Sequence, residues 1–144
     1  MAESDIQGAL FVAAETFLAA NGIATSAVAW PNRDFDPAGL ALWAAVHYMP
    51  NDPVSVTAGS LGRDEETGLI QIDINVPRNT GDSVFRTFRN ASRAYFIPGQ
   101  TFTQNSQDTI IVSCGMSSIR VVDNWFRVSL SIIYRADFYR ALIT

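Results

Sequence analysis

The chain has 144 residues, 48% hydrophobic and 17% charged, with a formal net charge of −4. This is enough for one domain with a sizeable core, and no apolar run is long enough to cross a bilayer, so no membrane partner is expected. All positive charge comes from ten arginines without a single lysine; an acidic chain lacking a basic run is a poor candidate for general nucleic-acid binding, where phosphate neutralisation dominates affinity, and the single cysteine, Cys114, excludes an intrachain disulfide and a cysteine-based zinc site.

The opening "MAESDIQGALF" has no basic region ahead of its apolar residues, so it does not read as a signal peptide, and synthesis in the cytoplasm is expected. "SDIQ" fits a capping box with Ser4 at the N-cap and Gln7 three residues on. Ile6, Leu10, Ala13, Ala14, Phe17 and Leu18 recur at helical spacing, and Asn21-Gly22 is a left-handed stop, which places a first helix over about 4–21. Val28 to Trp30 reads as a short strand ended by Pro31. "PNRDFDPAG" (31–39) is a loop, Leu40 to Met49 a second strand, Pro50 to Pro53 a turn, and Val54 to Thr57 a third strand. "GSLGRDEETG" (59–68) reads as a long charged hairpin-like loop.

The segment 69–76 is the clearest strand. Ile70, Ile72, Ile74 and Val76 point one way, and Gln71, Asp73 and Asn75 the other. Gly81-Asp82-Ser83 then opens a second helix over about 82–96, with Val84, Phe85, Phe88 and Tyr95 or Phe96 on its apolar face and Arg86, Arg89 and Arg93 on its other side. Pro98-Gly99 stops it, a polar stretch follows over 98–108, and three strands close the chain at about 109–114, 117–122 and 125–135. In the last, Phe126, Val128, Leu130 and Ile132 alternate with Arg127, Ser129 and Ser131. Short turns between strands imply a mainly antiparallel sheet, and two helices cover one face of it, giving an α+β fold of one domain. Its second face is polar, and is either solvated, lines a channel, or docks on another subunit.

Motifs that carry catalysis or hold a cofactor are missing from this sequence. His47 is the only histidine and lies inside a strand with no Ser or Cys motif beside it. Cys114 sits in the apolar run "IIVSCG" and reads as a small buried hydrophobe. The carboxylates Asp34 with Asp36, and Asp64, Glu65 and Glu66, lie in expected loops and match no calcium-loop spacing. Gly59, Gly62 and Gly68 do not have phosphate-loop spacing. No catalytic, metal or cofactor residue is therefore assigned. The arginine-only usage fits a GC-rich genome or planar interface contacts, and Arg86, Arg89 and Arg93 fit either a solvated helix face or a contact with the acidic Asp64–Glu66 segment of a neighbour.

Three stretches together resemble a known family. "GRDEETGLIQIDINVPRNTGDSVFRTFRNASRAYF" is similar to a central pattern of loop, Gly-Leu-hydrophobic-Gln strand, Gly-containing turn and helix. "DNWFRVSLSIIYRADF" resembles its closing strand, and "RDFDPAGLALWAAVHYMP" its upstream strand with Pro-x-Gly and Trp. The resemblance spans residues 30–138 and is to phage tail-terminator or tail-completion proteins, similar to the minor tail protein that caps the tube of siphophages; residues 50–60 form a plainer link than in that pattern. It implies a ring-forming α+β subunit, a homohexamer in the virion at the head-proximal end of the tail. Its partners would be the tail tube protein and a head–tail connector or head completion protein, with DNA passing through the ring without specific binding. On this reading Arg63, Asp64, Glu65 and Glu66 meet Arg86, Arg89 and Arg93 across a subunit contact, and Gln71, Asp73 and Asn75 face the lumen or a subunit boundary. Two alternatives stay open. One is a small-molecule-binding or enzymatic domain whose curved sheet surrounds a pocket containing His47 or Asp73. The other is a different head–tail connector protein.

Overall fold

The computed structural model describes residues 2–59 and 61–139. The first helix, α1 (Ala2–Ala20), leads through a 3-10 turn at Thr25–Ala27 into strand β1 (Val28–Ala29). Strands β2 (Trp43–Pro50), β3 (Val54–Ser55) and β4 (Arg63–Pro77) precede the second helix, α2 (Ser83–Tyr95). Strands β5 (Thr101–Gln104), β6 (Gln107–Met116), β7 (Arg120–Val122) and β8 (Trp125–Tyr139) complete the described chain. The strands form one sheet in the order β1-β2-β4-β8-β6-β5, with β3 beside β4 and β7 beside β8. Every pairing is antiparallel except β1 with β2.

The central pair β4–β8 runs in unbroken register from Arg63 opposite Tyr139 to Pro77 opposite Trp125. Alternation on these two strands builds the core. Ile70, Ile72, Ile74 and Val76 of β4 and Val128, Leu130, Ile132 and Tyr134 of β8 are buried in one cluster with Leu10, Phe17, Phe85 and Phe88 of the helices. Both helices therefore pack on one face, as the two amphipathic patterns imply. Aromatic rings close the helix layer: Phe17 lies 6.0 Å from Phe88 and 5.2 Å from Phe96 between ring centres. No helix among the described residues is long and apolar enough to cross a membrane.

Several local expectations need correction. Ser4 is not an N-cap, because α1 already includes Ala2; Glu3 and Asp5 instead place negative charge on its first turn, where the helix dipole favours it. The stop at Asn21-Gly22 is as expected: the Ile23 N–H bonds the Leu18 carbonyl at 2.9 Å and Gly22 takes a positive φ of 90°. Asp82 sits at the N-cap of α2 without a side-chain cap bond, since its carboxylate accepts from Arg86 at 2.7 Å. The expected loop 59–68 is largely strand, because β8 continues to Tyr139 and pairs Arg63 to Thr67 along their full length. The polar stretch 98–108 contains β5, which pairs β6 from Thr101 to Gln104. The second strand starts at Trp43 rather than Leu40, the third ends at Ser55, and the strand expected over 117–122 shrinks to Arg120–Val122.

Gly68 shows why this segment tolerates no side chain. A Cβ there would stand 2.7 Å from the Tyr134 hydroxyl, 2.8 Å from Pro50 Cα and 2.9 Å from the Met49 carbonyl oxygen. Two of those atoms are backbone and cannot swing away. Gly68→Ala is expected to lower stability by about 1–3 kcal/mol, measured by urea unfolding; an unchanged midpoint would mean that β2 shifts at no cost.

Candidate functional site

The polar side of β4 does not face bulk water. Asp73 is 4% exposed and Asn75 is fully buried, while Gln71 is half-buried. The cover comes from the same chain. Because β4 and β8 are antiparallel, Asn75, Asp73 and Gln71 stand opposite Arg127, Ser129 and Ser131. The Ser129 hydroxyl donates to Asp73 Oδ1 at 2.5 Å, and Gln71 Nε2 donates to the same oxygen at 2.9 Å. His47 Nε2 lies 3.2 Å from the other oxygen, Oδ2. Arg120, on β7, donates to Ser129 Oγ at 2.7 Å and stands 3.9 Å from Asp73 Oδ1. Arg127 Nε donates to Asn75 Oδ1 at 2.6 Å, and Asn75 Nδ2 donates to the Asp73 carbonyl at 3.2 Å. Trp43 stands opposite Asn75 on β2 and Trp125 opposite Pro77 on β8, their rings edge to face at 5.5 Å, with Phe35 of the 31–39 loop 5.3 Å from Trp43.

The row is a satisfied buried network. Its serine and histidine bind different oxygens of one carboxylate, and the serine proton goes to Asp73. A nucleophilic serine needs the histidine as its base, and that bond is not made here. No group of three or more His, Cys, Asp or Glu among the described residues is placed to hold a metal ion. A surface depression of about 540 Å³ lies elsewhere, between Phe11 and Glu15 of α1 and Thr25, Trp30, Pro31 and Arg33.

A second buried carboxylate lies on the helix-covered face. Glu66 is 2% exposed, and its Oε2 accepts from Tyr134 at 2.8 Å and from Tyr48 at 2.9 Å. The two phenol oxygens are 3.1 Å apart; each has one proton, and when both point at Glu66 neither is left for that contact. Burial, more than the neighbouring carboxylate, raises both phenols well above their ordinary value of 10.0. Burial likewise raises the Cys114 thiol, against the pull of Ser92 and Arg93.

The residues expected at a subunit contact are spread over distinct environments. Arg63 and Glu65 lie half-buried on the same side as Asp73, opposite Tyr139 and Asp137, while Asp64 lies opposite Phe138 on β8 and Ser55 on β3. Glu66 has no exposed surface to offer a neighbour. Arg86 is paired with Asp82, and Arg89 and Arg93 are exposed beside a cleft with Cys114, Gly115 and Met116 of β6. No ion pair among the described residues joins the acidic end of β4 to these arginines. Sequence reading did not join Ser129, Arg120 and Arg127 to the polar row. The signal was present in β8, whose Arg127, Ser129 and Ser131 mirror Asn75, Asp73 and Gln71 once the strands are set antiparallel.

Comparison with known proteins places this geometry. Among the solved structures that match, one has a TM-score of 0.68 over 94% of this chain and 98% of its own, at 20% identity, which establishes a shared fold. No curated protein matches. A family described as phage tail terminator protein matches residues 5–134, which include the helix layer, the buried polar row and the Glu66 site. By that match over most of its length, the chain belongs to the phage tail terminator family, structural proteins of the phage tail and so of the virion.

Proposed function

We propose that this protein terminates the tail tube: six copies close into a ring on its head-proximal end, stop its polymerisation and present the surface that joins tail to head. The family match over residues 5–134 carries this reading. Its partners are further copies of itself, the tail tube protein, and a connector or completion protein on the head side. The net charge of −4 and the absence of lysine support a channel through which DNA passes without being gripped. A closed ring needs a heterologous contact, one patch meeting a different patch on the next copy. The arginines of α2 and the exposed part of the acidic end of β4 have opposite charge and supply such a pair; Glu66, being buried, is left out of it.

The test is native mass by light scattering over a concentration series at two salt concentrations, followed by addition of purified tail tubes. A hexamer that weakens with salt and binds one tube end is expected. A protein that neither assembles alone nor caps tubes overturns the reading.

A further inference from the structure

The far end of the sheet's open face differs from the sealed polar row. Met49, Leu69 and Ile133 stand in one cross-strand row of β2, β4 and β8. Met49 is 42% and Ile133 44% exposed, so this row is an apolar strip left uncovered by the other described residues. Four residues further along the strands, beyond the pair Thr67–Arg135, Glu65 stands directly opposite Asp137 on the same face. Like charges at that spacing repel. The ion pairs among the described residues tie neither of these half-buried residues to a cation, and Asp137 Oδ1 is itself buried without a hydrogen-bond partner. Arg63 and Arg135 are diagonal neighbours of the pair but do not close on it.

On the opposite side of the sheet, α2 shows the complementary chemistry. Arg89 and Arg93 are exposed, and no ion pair among the described residues takes them up. Ile119, 43% exposed, lines the cleft beside Arg89. A carboxylate pair flanked by Arg63 and Arg135, with an apolar strip beyond, therefore lies on one face, and a basic patch with an apolar neighbour on the other.

We propose that the carboxylate pair Glu65–Asp137 and the strip Met49–Leu69–Ile133 of one subunit receive the Arg89–Arg93 side of α2 from a second copy of this chain. The inference rests on the ring reading above and names the contact that builds the ring. The occupant is a second copy because both halves of a complementary pair are carried by one chain. They lie on opposite faces, so one subunit cannot bring its own halves together. Front-to-back docking is heterologous, the type of contact that closes rings. It relieves the repulsion between Glu65 and Asp137 and covers the apolar strip in one step.

Two charge-reversed proteins test this. The first carries Glu65→Arg with Asp137→Arg, the second Arg89→Glu with Arg93→Glu. Each alone sets like charge against like and is expected to associate about 100-fold more weakly than wild type. Mixed in equal amounts, they present complementary patches alternately around the ring, and an even-numbered ring is expected to reappear in native mass spectra. Wild-type assembly by both reversed proteins overturns the inference and leaves the ring reading standing. Failure of the mixture as well as of each protein alone also overturns it. A wild type that assembles neither alone nor on tubes removes the ring reading and the inference with it. If either reversed protein fails to fold, the neutral pairs Glu65→Gln with Asp137→Asn and Arg89→Gln with Arg93→Gln decide: wild-type salt dependence of assembly in both overturns the inference, and a flattened one supports it.

Discussion

Asp73→Ala is expected to lower stability by about 3 kcal/mol, the largest effect of any single polar substitution on the open face. The carboxylate accepts from Ser129 and Gln71 and has His47 and Arg120 beside it. Removing it leaves the buried Ser129 hydroxyl and the Gln71 amide without that acceptor, while Arg120 keeps its bond to Ser129 Oγ, and a buried donor left without an acceptor costs its desolvation energy uncompensated. Asp73→Asn keeps the volume and one acceptor oxygen, and about half the loss is expected. Urea unfolding followed by circular dichroism measures both. A loss below about 0.5 kcal/mol for the alanine variant would mean that water enters and satisfies the row, which would make the face far more open than its burial indicates.

The Glu66 site gives the second large effect. Tyr134→Phe is expected to cost about 2 kcal/mol, because a fully buried donor to a carboxylate is lost. Tyr48→Phe costs less, about 1 kcal/mol, since Tyr48 is half-buried and water replaces its hydroxyl more readily. The double variant should lose more than the sum, because Glu66 then has neither phenol donor in a buried position. A strictly additive result would show that the phenols act independently. The same site sets an alkaline limit. Both phenols are raised above 10.0 in the folded protein, so the native state holds protons that the unfolded state has released. Stability is therefore complete below pH 10 and declines as pH rises beyond it. Tyrosinate absorbance should show these two groups ionising together with loss of the circular dichroism signal, and ionisation ahead of unfolding would sink this account.

The strands with one apolar side were legible in the sequence, because period-two alternation in 69–76 and 125–135 survives any tertiary context. The helices were legible for the same reason at period 3.6, and the arginine side of α2 is exposed as its pattern implies. What failed was the reading of charge as loop. "RDEETG" is polar and contains glycine, yet Arg63 to Thr67 pair with β8 residue by residue, and Glu66 turns to the core because the alternation of Ile70 and Ile72 simply continues back through Gly68. Polar residues on a strand were read as facing outward, or toward another subunit. Asp73 and Asn75 are instead sealed by Ser129, Arg120 and Arg127, a cover assembled from distant segments that no local window contains. The four-residue β5 is likewise fixed by its neighbour, since its own sequence is too short and too polar to declare a strand, and the parallel sense of the β1–β2 pair is written in neither strand by itself.

One feature of the sheet bears on how growth of a polymer is brought to an end. The outer edge of β2 is paired by β1 at Ala44 and Ala45, and further along the chain Pro50 and Pro53 carry no N–H to offer a passing strand. An edge blunted in this way is a poor template for adding copy after copy into an open fibre. On the function proposed above, a molecule that halts repetition is thereby kept from becoming a seed for it.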